Sequence, residues 1–163
     1  MLSQAVHKTP IGDLFLVSDE HILLAAGFKS FKDLFDRMDP KDSSREVKSV
    51  KSIPIISELI SDYFAGDLTA FGGIKVRQPG AAFSQAAWKA MRKVAPGKTW
   101  SYADLAAKAG SPAAVRAAGS ACANNAIMLV VPCHRIVKTG GALGNYAYGV
   151  DKKQWLLSHE GFL

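Results

Sequence analysis

The sequence has only two cysteines, Cys122 and Cys133, in 163 residues. That is too few for a disulfide framework, and a reducing compartment would keep both as thiols. No apolar run approaches the roughly 20 residues needed to cross a bilayer. The first residues, Met1 to His7, combine neither a basic stretch nor an apolar one, so no signal peptide is expected. These absences predict a cytoplasmic protein without a membrane partner. The chain also lacks internal repeats and low-complexity tracts, which excludes solenoid and disordered classes. Its four histidines are scattered, and His7 and His21 have no cysteine nearby, so no metal site is predicted.

Acidic residues are scarce in one half only. Residues 75–163 carry twelve Lys/Arg and three acids (Asp104, Asp151, Glu160), whereas residues 1–74 carry eight Lys/Arg and eleven acids. The net charge of +6 is therefore +9 in the second half and −3 in the first. A basic half beside a mildly acidic one fits a polyanion-binding module with a supporting domain, and equally fits a solvated lysine-rich surface. With 48% hydrophobic residues, either half can bury a core.

The spacing of apolar residues predicts an α/β (α+β) protein. A small N-terminal sheet-plus-helix domain (1–74) precedes a mostly helical C-terminal domain (80–163), with the junction in the glycine- and proline-rich stretch from Gly72 to Gly80. Val6 to Leu16, broken at Pro10-Ile11-Gly12-Asp13, reads as a hairpin, and Ile22 to Ala26 as a third strand. Phe31, Leu34, Phe35 and Met38 share a helix face, as do Ile56, Leu59, Ile60 and Tyr63 in a helix expected over 53–64. Asp39 to Ser52 reads as a polar loop. Phe83 to Val94 reads as a helix stopped by Pro96-Gly97.

Ser101, with Asp104 three residues on, has the spacing of a capping box opening a short helix. Gly110 ends that helix, and Ser111-Pro112 is expected to start the next as N-cap and first turn. Two short helices about a tight turn make a helix-turn-helix candidate. The second helix is almost all small residues, Ala113 to Ala121, with Arg116 as its only long side chain. A helix that reads base edges carries several reaching polar side chains. A smooth rod with one cation instead suits close approach to a narrow groove and insertion of one side chain. A buried small-residue helix with Arg116 reaching solvent is the alternative.

Ile127 to Val131 reads as a buried strand ended by Pro132, which would place Cys133 at the boundary of an apolar layer. His134 and Arg135 follow it, offering a base and a cation that could stabilise a thiolate. An inert buried cysteine is the plainer alternative.

Pro132-Cys133-His134-Arg135-Ile136-Val137 resembles the active-site signature of the O6-alkylguanine-DNA alkyltransferases, the methylated-DNA–protein-cysteine methyltransferases. Gly80 to Phe83, Trp88 and Gly97 to Ala106 resemble that family's approach to its helix-turn-helix. Arg116 with Gly119, then Asn125, Gly144-Asn145-Tyr146 and Lys153 to Gly161 follow in the family's order. Residues 80–161 are covered densely, and Thr9 to Phe28 more loosely.

The resemblance implies single-turnover repair of double-stranded DNA. Cys133 would displace the guanine oxygen from the alkyl carbon, with O4-alkylthymine as a further candidate lesion. It implies His134 as base, Glu160 as its orienter, Tyr102 as proton donor to the guanine ring, and Asn125 as a hinge. Arg116 would fill the space of the flipped nucleotide. Ser101, Ser111, Tyr102, Ala117 and Gly119 would face DNA. Tyr146, Ala147, Tyr148, Val131 and Ile136 would form the base pocket. It implies no cofactor and a monomer.

Ala126 stands where the family commonly has proline, Met128 near a second one, and Tyr148 where glycine is frequent. Three rival functions remain: a non-catalytic alkyl-base sensor, disfavoured by Cys133; a helix-turn-helix transcription factor, disfavoured by the smooth helix; and a thiol hydrolase, disfavoured by the adjacency of Cys133 and His134.

Overall fold

A tight turn at Pro10-Ile11 joins β1 (Leu2–Thr9) to β2 (Gly12–Asp19), and the pair is antiparallel from Ser3↔Ser18 to Thr9↔Gly12. The computed structural model describes all 163 residues, which divide into two units. One comprises 1–79 with 126–130, the other 80–125 with 131–163. The second segment of the first unit follows from hydrogen bonds: Ala26 N–H donates to Ala126 O, Met128 N–H to Ala26 O, and Ala126 N–H to Gln78 Oε1.

In the first unit β3 (Ile22–Gly27) continues the antiparallel sheet, and two short strands close its edges in parallel. These are β4 (Val47–Ser49) on β1 and β5 (Lys75–Val76) on β3, giving the order β4-β1-β2-β3-β5. One cluster packs Val17, Leu24 and Ala25 of the sheet against Leu34 of α1 (Phe31–Arg37) and Met38 beyond it. Ser30 caps α1 by accepting from Asp33 N–H, and Phe31 meets Phe15 edge to face at 5.0 Å. The helix expected over 53–64 is α3 (Ile56–Phe64), preceded by Ile55 at φ 71°. Ile56, Ile60 and Tyr63 are its fully buried residues, and Tyr63 stacks on Phe71 at 4.2 Å.

The stretch expected to be a loop, 39–52, holds one turn of helix, α2 (Pro40–Ser43), and the edge strand β4. Asp39 caps α2, with Pro40 at its first position. Asp42 is buried and bonds both Arg45 and Arg77, which also reach Asp19. This polar network fixes a segment with no apolar periodicity, so pattern alone could not reveal it.

A second correction concerns 127–131. These residues are buried as expected, yet only Ile127 pairs, in a single bridge to Ala26. The chain then turns, with Leu129 at φ 72°, a conformation no strand residue adopts.

The second unit is helical: α4 (Ala82–Met91), α5 (Tyr102–Lys108), α6 (Val115–Ala123) and α7 (Val150–His159). A parallel pair, β6 (Trp100–Ser101) with β7 (Ile136–Val137), ties the start of α5 to the segment after Cys133. Trp88 anchors the unit: its indole N–H donates to Ala121 O at 2.8 Å. Gly80 is required beside it, since a Cβ there would lie 2.6 Å from the Trp88 ring. The Ser101–Asp104 capping box forms in both directions and opens α5. Gly110, at φ 95°, turns the chain toward α6. That helix begins at Val115 rather than Pro112; Ser111 O accepts from Ala114 N–H, so Ser111 starts a turn and does not cap the helix.

Candidate active site

Cys133 opens a 3-10 turn, Cys133–Arg135, immediately before β7. It is 5% exposed and emerges from a turn instead of the expected strand end. The turn sends consecutive side chains to different neighbours. Cys133 faces a cavity of about 710 Å³, whereas His134 and Arg135 are directed into the protein toward α7.

The buried face of α7 carries Lys153, Leu156 and Leu157, and Glu160 follows as its C-cap. The spacing 153, 156, 157, 160 is one helical face, and two of its members are charged. Glu160 Oε2 lies 2.8 Å from His134 Nε2. Arg135 grips the same carboxylate at two points, Nε to Oε1 at 2.8 Å and Nη2 to Oε2 at 2.9 Å, and its Nη1 donates to Val94 O. Burial opposes the carboxylate charge, but the hydrogen bonds and charges of His134 and Arg135 outweigh it, holding Glu160 well below the usual carboxylate range.

An ionised carboxylate only accepts, so His134 Nε2 carries the proton in this pair. Burial pushes the His134 imidazole below its ordinary value despite Glu160. The ring is therefore neutral near pH 7, and its lone pair sits on Nδ1, a buried atom with no protein partner. A base with an open lone pair, fixed in one tautomer by a carboxylate, is the arrangement that nucleophile activation requires.

Arg135, expected to be the cation beside the thiol, is committed to Glu160 and Val94 O instead. A buried cation within electrostatic reach of Cys133 is Lys153, which the sequence reading left without a role; Lys138 and Arg116 share the cavity wall with Cys133. Its signal was present: a lysine one helical turn before the apolar pair Leu156 and Leu157 on the same face of α7. Lys153 Nζ donates to Ile136 O at 2.6 Å and Asn145 O at 3.2 Å.

Tyr102, the first residue of α5, lines the cavity, and burial together with the two thiols pushes its phenol up to about 12. It stays protonated and can donate. Arg116 and Gly119 of α6, with Tyr146 and Ala147 of the loop before α7, also line the cavity. Cys122 does so too, its thiol pushed up by burial and held protonated. Asn125 is fully buried and donates from Nδ2 to Val131 O at 2.9 Å, joining the end of α6 to the segment leading into Cys133.

Three expected pocket residues are not among those lining the cavity. Val131 and Ile136 are buried in the core, and Tyr148, although partly buried, lies outside the cavity wall. Ser101, Ser111 and Ala117 are likewise outside the lining; Ser101 serves as the α5 cap and Ala117 is exposed on α6. No group of three His, Cys, Asp or Glu side chains that could hold a metal ion is present, and no helix is long and apolar enough to cross a membrane.

Residues 82–162 match the model of the 6-O-methylguanine DNA methyltransferase DNA-binding domain. The chain is 36% identical to the methylated-DNA–protein-cysteine methyltransferase of Salmonella typhimurium over 159 residues, 95% of this chain and 93% of that protein. The chain belongs to this methyltransferase family. The constitutive Bacillus subtilis relative is 34% identical and spans 94% of the chain and 92% of its own length. Mycobacterium tuberculosis OGT in complex with DNA superposes with a TM-score of 0.83 at 29% identity, covering 97% of this chain and 92% of that one. The fold of the family, a β-rich N-terminal part before a mostly helical C-terminal part, is the one found here.

Proposed function

We propose that this protein flips O6-alkylguanine out of double-stranded DNA and transfers the alkyl group irreversibly to its own Cys133. The observation that carries this reading is the linked set Cys133, His134 and Glu160. It places a thiol on a cavity wall next in the chain to a neutral imidazole whose buried Nδ1 has no protein partner, and an ionised carboxylate orients that ring from behind. His134 Nδ1 takes the thiol proton through one water, and Glu160 stabilises the imidazolium that forms. The thiolate sulfur bonds to the alkyl carbon as the carbon–oxygen bond breaks, and the electron pair leaves with the guanine oxygen. Tyr102 donates its phenolic proton to the guanine ring, offsetting the charge developing on the leaving base.

Flipping costs a few kcal/mol of unstacking. Arg116, exposed on α6 at the cavity edge, offsets part of it by occupying the vacated space in the duplex. The small residues around it, Ala117 and Gly119 among them, let α6 approach the groove closely. Asn125 holds the end of α6 in register with Cys133. Tyr146 and Ala147 contact the flipped base, whereas Tyr148 does not. Ser101 and Ser111 stand where the α5 and α6 approaches meet phosphates.

No step calls for a cofactor, and one protein molecule repairs one lesion as a monomer. Such a protein works beside DNA in a compartment that keeps its thiols reduced. Intact mass after incubation with O6-methylguanine duplex tests the reading. One added methyl mapped to Cys133 is expected; an unmodified Cys133 with repaired DNA would refute it.

A further inference from the structure

A buried ammonium needs an anion or a full set of acceptors to offset its lost hydration. Lys153 is fully buried, and its Nζ donates to two carbonyls, Ile136 O and Asn145 O. An ammonium has three donors, so these leave one over. No carboxylate pairs with Lys153, because Glu160, the acid on its own helix face, is taken by Arg135 and His134. The titratable groups that feel the Lys153 charge are Cys133, Cys122 and His134. Burial holds Cys122 as the neutral thiol and His134 as the neutral ring. The Lys153 acceptor Ile136 also closes the turn that Cys133 opens, donating its own N–H to Cys133 O. A fully buried cation without a carboxylate, fastened to the end of the Cys133 turn, leaves one group able to supply the missing charge.

We propose that Lys153 is the counter-ion of the Cys133 thiolate formed as His134 draws off the thiol proton, a positioning residue that sets how much of Cys133 is ready to react. The proposal rests on Cys133 being the nucleophile. It also gives the reaction an electrostatic consequence. When sulfur bonds to the alkyl carbon and the electron pair leaves with guanine, Cys133 becomes a neutral thioether. Lys153 then keeps its two carbonyls but loses its anion, so it releases its proton more easily in the alkylated protein.

Iodoacetamide modification of Cys133, located by peptide mass and followed against pH, tests this in the wild type, Lys153→Met and Lys153→Arg. An opposite charge close by shifts a titrating group by about one to three units. Lys153→Met is therefore expected to raise the Cys133 thiol by that amount, to slow methyl transfer at neutral pH about tenfold per unit, and to recover at higher pH. Lys153→Arg is expected to retain most of the wild-type profile, and DNA affinity to stay unchanged in both. Coincident profiles in the wild type and Lys153→Met would overturn the proposal.

A measurement without substitution guards against a variant that fails to fold. Titration of the Lys153 side chain by nitrogen-15 NMR, before and after methylation by O6-methylguanine duplex, should move to lower pH on methylation. An unmoved titration would overturn the proposal. Failure of the underlying reading looks different, since transfer would then persist in Cys133→Ala whatever Lys153 does.

Discussion

Arg135 and Glu160 form a two-point ion pair inside the protein, with both contacts under 3 Å and Glu160 only 4% exposed. The same carboxylate orients His134, so one acid serves both a structural cation and the base. Glu160→Gln should separate these services. It leaves Arg135 buried without its anion, a loss of about 3–5 kcal/mol in stability, and removes the partner that fixes the His134 tautomer.

The pH dependence follows from the depressed Glu160 carboxyl. In the unfolded chain this group takes up a proton first as pH falls, so the stability it contributes is full above the ordinary carboxylate value. That stability is lost progressively as pH drops below about 4.3 toward the folded value. Urea unfolding at pH 7 and pH 3.5 should show a smaller loss in Glu160→Gln than in the wild type. Equal losses would mean that Glu160 is not the group responsible.

Cys133→Ala should abolish transfer and leave DNA binding nearly unchanged, because the thiolate supplies chemistry while the basic second half and α6 supply affinity. Binding to undamaged duplex should fall steeply with salt as counterion release weakens. Residual transfer above background in Cys133→Ala, or affinity that stays flat over a tenfold change of salt, would contradict these expectations.

Arg116→Ala should slow repair of duplex DNA more than reaction with the free alkylated base. Arg116 is the one long side chain on α6, and it is exposed at the cavity wall. Parallel losses on both substrates would assign it to the pocket instead of the flipped state.

Much of this site was legible because its chemistry is concentrated in short, unusual strings. Cys133-His134-Arg135 and the Ser101–Asp104 box depend on local order, and local order is what a sequence displays. Harder to see was which way each side chain of the turn points. In an extended segment, Arg135 would share a face with Cys133; the 3-10 turn sends it to Glu160 instead. Lys153 was hidden for a related reason. Its role depends on α7 meeting the turn after Cys133, a contact 17 residues apart in sequence. In the first unit, β4 and α2 went unread because Asp19, Asp42, Arg45 and Arg77 organise them through charge, without an apolar period. The strand expected over 127–131 failed on one residue, Leu129, whose positive φ no apolar pattern announces.

Tyr148 bears on which alkyl groups can be removed. Two residues beyond Tyr146, in a position where a glycine would open the loop, it has the bulk to exclude a large O6 substituent if its ring points inward. The cavity wall includes Tyr146 and Ala147 but not Tyr148, and α6 contributes Val115 and Arg116 beside the small residues Gly119, Ser120, Cys122 and Ala123. Room for a substituent is therefore bounded by residues other than Tyr148, which is not placed to restrict it. Tyr148→Gly should change the inactivation rates with O6-benzylguanine and with methylated duplex by less than about threefold, the spread expected of a substitution outside the reacting groups. A selective acceleration of the benzyl reaction alone would show that the ring reaches the alkyl group during reaction and would restore Tyr148 as a gate on substrate size.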